Sequence, residues 1–194
     1  MGMLNFYNIG GYVKNHGLEV FIETGVGNGD GIIEAAKHPF QKIISIEIME
    51  AQVLKMRQKF AADPRIEIIH GHTLDVLPRL LDDVKENCLF WLDAHFPGAD
   101  IGMGKHDDPT IDDIVRLPLE EELFMVRDKR KGKDVVLFDD LLIYQNQGRD
   151  CWRNDIRPRH KFTSDNFFAE ILSTTHNFNS WYRDTGYAAL TPKS

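Results

Sequence analysis

The sequence is poor in cysteine, with two in 194 residues. Cys88 falls in an apolar run and Cys151 in a polar stretch, which excludes a disulfide framework and implies reduced thiols. No apolar run approaches the ~20 residues that a bilayer span requires. The start, Met1-Gly-Met-Leu-Asn-Phe-Tyr7, lacks a basic region followed by an apolar one, so neither a membrane partner nor a secretory leader is expected, and the expected location is the cytoplasm. Long basic runs are missing too, and the formal net charge is −7. That argues against a nucleic-acid partner gripped through its phosphates. The nearest exception, Arg127-Asp-Lys-Arg-Lys-Gly-Lys133, reads as a solvated helix end whose cations complement the helix dipole. Internal repeats, low-complexity tracts and interdomain linkers are absent. What remains is the composition of a soluble globular protein, 42% hydrophobic and 27% charged. It reads as a single domain over residues 1–194, long enough to bury a full core.

Glycine, by contrast, is concentrated. Val20-Phe-Ile-Glu-Thr-Gly-Val-Gly-Asn-Gly-Asp-Gly31 runs from an apolar segment through an acid, Glu23, into the alternating glycines Gly25, Gly27, Gly29 and Gly31. The helical-looking Ile32–Lys37 follows, so the stretch reads as strand, tight turn and helix. Glycines accept positive φ and lack a Cβ, so backbone N–H groups approach a bound ligand closely. A second part lies at matching distance: Lys42-Ile-Ile-Ser-Ile-Glu-Ile48 is a β-branched run with one acid, Glu47, twenty residues after Gly27. An acid closing the second strand of a βαβ unit is placed to accept hydrogen bonds from both hydroxyls of an adenosine ribose. The dinucleotide fingerprint G-x-G-x-x-G, counted from Gly25, would need glycine where Asp30 stands. A carboxylate at Glu23 would repel a pyrophosphate but suit a ligand with an amino group and a sulfonium. The loop thus points away from NAD and toward S-adenosylmethionine.

The rest of the chain reads as an α/β protein with a doubly wound, mostly parallel, Rossmann-like sheet. Strands are predicted over 18–24, 43–48, 65–70, 88–92 and 134–138, and helices over 29–38, 50–62, 74–84 and 111–131. Pro78 is expected in a first helical turn and Pro118 at a kink. Residues 1–17 are expected to form a lead-in helix or a cover over the cofactor site. The polar stretch 141–163 is expected to be a lid or binding loop, with Ser164 capping a helix over 165–175. Phe178–Leu190 reads as a hairpin turning near Asp184-Thr-Gly186, and Trp91, Trp152 and Trp181 as core or lid.

Ligands of such a sheet bind at the carboxyl ends of the strands, where Glu23, Glu47, Asp93, Asp139 and Asp140 all fall. Asp93, Asp139 and Asp140 come from neighbouring strands and repel one another. A divalent cation, Mg²⁺ first and Mn²⁺ or Ca²⁺ next, would remove that cost. His95, two residues past Asp93, would serve as general base toward a hydroxyl, or give a nitrogen to the metal and favour Mn²⁺ or Zn²⁺. The neighbouring side chains of His106-Asp-Asp108 converge poorly and are not expected to hold a metal. Glu120-Glu-Glu122 reads as a solvated helix face.

Glu23-Thr-Gly-Val-Gly-Asn-Gly29 resembles the first motif of class I S-adenosylmethionine-dependent methyltransferases, and Ser45-Ile-Glu-Ile48 resembles their ribose-binding strand end. The likeness continues through Gly71-His-Thr-Leu-Asp75, Phe90-Trp-Leu-Asp-Ala-His95 and Val136-Leu-Phe-Asp-Asp140. Within that superfamily the pattern is similar to the metal-dependent catechol O-methyltransferase type, and more so to a bacterial and phage group with a W-L-D-[AG]-H stretch. That group also carries a Pro-x-x-Glu-Leu-like stretch where Glu120–Glu122 stand. The resemblance implies a C-terminal antiparallel hairpin. It implies cofactor contacts from Glu23, Thr24, Gly25, Gly27, Gly29, Glu47, Ile48, His72, Thr73 and Asp93. It also implies metal ligands Asp93, Asp139 and Asp140, with Asp140 where the catechol type has Asn. The lysine base of that type falls on Phe96, which leaves His95 and Asp93 as the catalytic candidates. The function expected is metal-assisted O-methylation of a small hydroxylated substrate, a sugar or a catechol-like molecule. An NAD-linked oxidoreductase or a non-catalytic nucleotide-binding protein of the same fold competes with it, and a homo-oligomer stays open.

Overall fold

Five short apolar runs set the frame. The computed structural model describes residues 3–105, 108, 110–144, 167–183 and 186–193. In it the runs become parallel strands β1 (Val20–Thr24), β2 (Lys42–Glu47), β3 (Ile66–His70), β4 (Cys88–Leu92) and β5 (Val135–Asp139). The hairpin β6 (His176–Trp181) and β7 (Tyr187–Pro192) completes a sheet of order β3-β2-β1-β4-β5-β7-β6, β7 being antiparallel to both its neighbours. Strand order reverses between β1 and β4, so a crevice opens at their carboxyl ends.

The helices are α1 (Ile9–His16), α2 (Asp30–Ala35), α3 (Glu50–Lys59), α4 (Thr73–Asp83), α5 (Asp113–Arg116), α6 (Leu119–Lys129), α7 (Leu141–Tyr144) and α8 (Phe167–Ile171). Successive strand residues face opposite sides. Ile22, Ile44, Phe90 and Phe138 form one core with Leu77, Leu81, Leu123, Val126 and Phe168. Phe21, Ile43, Leu89, Trp91 and Leu137 form the other with Tyr7, Ile9, Ile32, Val53 and Met56. Burial on both faces explains why β1, β4 and β5 are nearly continuous apolar runs. No helix among the described residues is long and apolar enough to cross a membrane.

Several expectations need correction. The helix over 111–131 is two, because Pro118 disfavours helical backbone at Leu117, which adopts φ −140 and ψ 72. Pro78 sits inside α4, beyond its first turn. It removes one helical N–H at a cost of about 3 kcal/mol, which burial of Leu77, Leu80 and Leu81 offsets. Residues 9–16 form the expected lead-in helix, α1, but residues 4–16 do not line the cleft described below. Instead the Tyr7 hydroxyl donates to the carbonyls of Phe138 at 2.8 Å and Ala188 at 3.1 Å, across the antiparallel junction of β5 and β7. Arg130 is not solvated: it donates to the carbonyls of Val84 (2.6 Å) and Glu86 (2.5 Å) and pairs with Asp134 at 2.8 Å. Trp91 is core, and Trp181 stacks on Tyr187. Cys151, Trp152, Ser164, the Asp184–Thr185 turn and most of 141–163 lie outside the described residues.

Candidate functional site

The loops after β1, β2, β3 and β4 enclose a solvent-open cleft of ≈ 690 Å³. One wall is Gly25, Gly27, Glu47, Ile48, His72 and Thr73, and the other begins with Asp93, Ala94, His95 and Phe96. The two walls meet at Gly25, whose φ is 81; a Cβ there would lie 2.8 Å from the Asp93 carbonyl oxygen, so only glycine lets the loops pass. Glu47 accepts from the backbone N–H groups of Met49 at 2.7 Å and Val26 at 3.2 Å, which fixes its carboxylate at the end of β2. Burial raises its pKa, while those same bonds work to lower it. His72 caps α4, its Nδ1 accepting from Leu74 N at 3.1 Å. That bond places the ring proton on Nε2, which has no partner among the described residues, and burial lowers the ring's pKa.

Of the ten residues assigned to the cofactor from sequence, Gly25, Gly27, Glu47, Ile48, His72, Thr73 and Asp93 line the cleft; Glu23, Thr24 and Gly29 do not. Glu23 is 1% exposed and accepts from the Ser45 hydroxyl at 2.6 Å. It lies against Gly31, where a Cβ would stand 1.8 Å from its Oε1. Burial pushes the carboxyl up to about 8. A group neutral at pH 7 does not repel a pyrophosphate, so the electrostatic case against a dinucleotide falls away, and the absent glycine at Asp30 carries it alone. Gly29 caps α2 with φ 83, packed under the Phe60 ring.

Across the cleft, strand ends β4 and β5 bring acids and a histidine together. His95 Nε2 is 3.1 Å from Asp140 Oδ2 and 3.2 Å from Asp100 Oδ2, and Nδ1 is 3.4 Å from Asp93 Oδ1. Ligand atoms of Asp93, His95 and Asp140 all fall within 4.8 Å of one another. Asp139, the remaining member of the trio expected from sequence, is 3% exposed and interacts directly with Asp93. Burial, reinforced by charges within the cluster, holds the carboxyls of Asp93 and Asp139 well above the usual range. Asp93 Oδ1 and Asp139 Oδ2 are buried without a hydrogen-bond donor among the described residues. Burial alone would lower the pKa of His95, yet the carboxylates of Asp140 and Asp100 push it up to about 9. Two non-glycine residues here have left-handed backbone: Asp140 at φ 58, which Asp tolerates, and Phe96 at φ 40, which is strained. The Phe96 ring is buried beside Leu117 and its N–H donates to the Arg116 carbonyl at 2.8 Å, an anchor that holds His95 in place.

Sequence reasoning missed Asp100 and misplaced Glu122. Glu120 and Glu122 are buried, not solvated. Glu122 Oε2 accepts from the Thr24 hydroxyl at 3.4 Å, and burial pushes the carboxyl up to about 7 against the hydroxyls of Thr73 and Thr24, which work to lower it. The signal was present: 122 falls on the apolar stripe of Leu119, Leu123 and Val126. Nothing in the glycine-rich stretch around Asp100 marks it. His106 and Asp107 lie outside the described residues.

No family model and no curated protein sequence matches this chain. Solved structures do. A Staphylococcus aureus protein assigned to caffeoyl-CoA O-methylation superposes with a TM-score of 0.63 at 13% identity, over 100% of this chain and 85% of its own. A Bacillus cereus O-methyltransferase, solved with S-adenosylhomocysteine, gives 0.58 at 14% identity, over 92% and 76%. A methylase of ribosomal protein L11 from Lactobacillus delbrueckii subsp. bulgaricus gives 0.54 at 12% identity, over 91% and 71%. The likeness shows a Rossmann-like methyltransferase fold with antiparallel C-terminal strands.

Proposed function

We propose that this chain transfers a methyl group from S-adenosylmethionine to a hydroxyl of a small acceptor, a sugar or a catechol-like molecule, with a divalent cation assisting. One observation carries the reading. A fixed acid and a glycine loop on one side of the cleft face an acid–histidine cluster with contacts of 3.1–3.4 Å on the other.

The residues present fit both groups. Glu47, held at the wall of the cleft by backbone N–H groups, would take the ribose hydroxyls, and His72 and Thr73 on the same wall would face the adenine. Asp93, His95 and Asp140 offer ligand atoms that all lie within 4.8 Å of one another, which fits a cation. When bound, the cofactor would supply an electrophilic methyl on a sulfonium and the cation would acidify the acceptor hydroxyl. The chain's own work would be positioning: Gly25 and Gly27 would let the cofactor approach the backbone closely, and the loop after β4 would orient the acceptor. With a cation bound the clustered carboxyls would ionise, and Asp93 and its neighbours would then be able to accept the proton that the acceptor hydroxyl gives up.

Calorimetric titration with S-adenosylhomocysteine tests the cofactor. Glu47→Ala removes bonds worth about 1.5–3 kcal/mol each to a charged acceptor, so affinity falls at least ~10-fold. No binding to the wild type, with NADH binding instead, sinks the reading. Binding without methyl transfer to any hydroxylated acceptor, with divalent metals present, would favour a non-catalytic protein.

A further inference from the structure

Resting on the metal-assisted reading, we propose that the metal centre is a mixed nitrogen–oxygen site, with His95 a ligand beside Asp140 and Asp93. It takes Mn²⁺ or a later first-row divalent ion in preference to Mg²⁺ or Ca²⁺. A cation bound at about 2.1 Å to ligands at right angles sets neighbouring ligand atoms about 3 Å apart. His95 Nε2 stands 3.1 Å from Asp140 Oδ2, which is that spacing. Asp100 Oδ2, 3.2 Å from the same nitrogen, adds a further carboxylate at the mouth.

Three features make this a prepared site and not a chance gathering of acids. The His95 ring is held edge-on against Phe96 at 5.6 Å, and Phe96 keeps a strained φ of 40 to hold that place. His95 Nδ1 lies 3.4 Å from Asp93 Oδ1 while Nε2 faces Asp140, so the ring is flanked by an acid at each nitrogen. Asp139, almost wholly buried, leaves Oδ2 unpartnered while interacting with Asp93, which orients Asp93 from behind. Imidazole is a borderline donor that binds Mn²⁺, Co²⁺ and Zn²⁺ well and Mg²⁺ and Ca²⁺ poorly. Its presence among carboxylates therefore sets the choice of metal.

The test uses the whole chain and reads Mn²⁺ by electron paramagnetic resonance, with Mg²⁺ as competitor and S-adenosylhomocysteine affinity measured on the same samples. The expected result is Mn²⁺ binding at least ten-fold tighter than Mg²⁺, with pulsed spectra of the bound ion showing modulation from an imidazole ¹⁴N. In His95→Ala the Mn²⁺ preference falls at least ten-fold while Mg²⁺ affinity changes little. Bound Mn²⁺ without nitrogen modulation, or an unchanged preference in His95→Ala, overturns the histidine ligand and leaves the metal-assisted reading standing. Absence of metal binding in a wild type that binds S-adenosylhomocysteine overturns both. If His95→Ala loses S-adenosylhomocysteine binding, its site has collapsed and the wild-type nitrogen modulation alone decides.

Discussion

Gly31→Ala should change sign with its neighbour. Gly31 lies inside α2, where alanine is ordinarily favoured over glycine by about 1 kcal/mol. Here a Cβ would stand 1.8 Å from Glu23 Oε1 and 3.3 Å from Trp91 Cδ1. Glu23 is wholly buried, so it has nowhere to swing, and displacing it breaks its 2.6 Å bond from Ser45. Leaving those buried polar groups unpaired costs about 1–3 kcal/mol, and the overlap adds a similar amount. Gly31→Ala should therefore destabilise the wild type by about 2–4 kcal/mol, net of the propensity gain. In a Glu23→Ala background the obstruction is gone, and the same substitution should cost nothing or stabilise by up to about 1 kcal/mol. Urea unfolding of the four proteins yields the coupling directly, expected to exceed about 2 kcal/mol. A cost below about 0.5 kcal/mol in the wild type, or an equal cost in both backgrounds, would show that Glu23 does not occupy this space.

Glu23 also sets a slope in pH. Its folded value is raised from 4.5 to about 8, so the neutral form is the one the fold prefers. Stability is fully present below pH 4.5 and drains as pH rises through 8, by on the order of a few kcal/mol. Glu23→Gln should flatten urea stability over that window, and an unchanged slope would place the carboxylate in solvent. Tyr7→Phe strips the bonds to Phe138 and Ala188, and a loss of about 1–2 kcal/mol in unfolding free energy is expected with S-adenosylhomocysteine affinity unchanged. A drop in that affinity would mean the amino-terminal segment does reach the cleft.

The inner sheet was legible because β1, β2, β4 and β5 are buried on both faces, which leaves apolar runs that flanking glycines, prolines and acids delimit. The position of an acid at a strand end was legible for the same reason, but its direction was not. Glu23 and Thr24 are adjacent, yet pleating sends one toward Ser45 and the other toward Glu122. Glu47 reaches the cleft because Val26 and Met49 hold it there, which no spacing rule reports. Asp139 and Asp140 read as an equivalent pair. The left-handed φ of Asp140 turns that residue toward His95, while Asp139 keeps strand geometry and stays beneath. Glu122 was misread because three consecutive acids look like a solvated face until the helical stripe through 119, 123 and 126 is drawn.

The rim of the sheet opposite the cleft has a different character. There Arg130 ties Val84, Glu86 and Asp134 together, Asp134 Oδ1 accepts from the Cys88 N–H at 2.7 Å, and the Asp134 carbonyl lies 2.9 Å from His176 Nε2. One guanidinium thus gathers the entry points of β4, β5 and β6 into a single knot. Substitutions in the loops at the open rim leave the knot intact, because the two rims share strands but no side chains. For engineering, the segment after β4 is the place to diversify, and Arg130 with Asp134 is the place to leave alone.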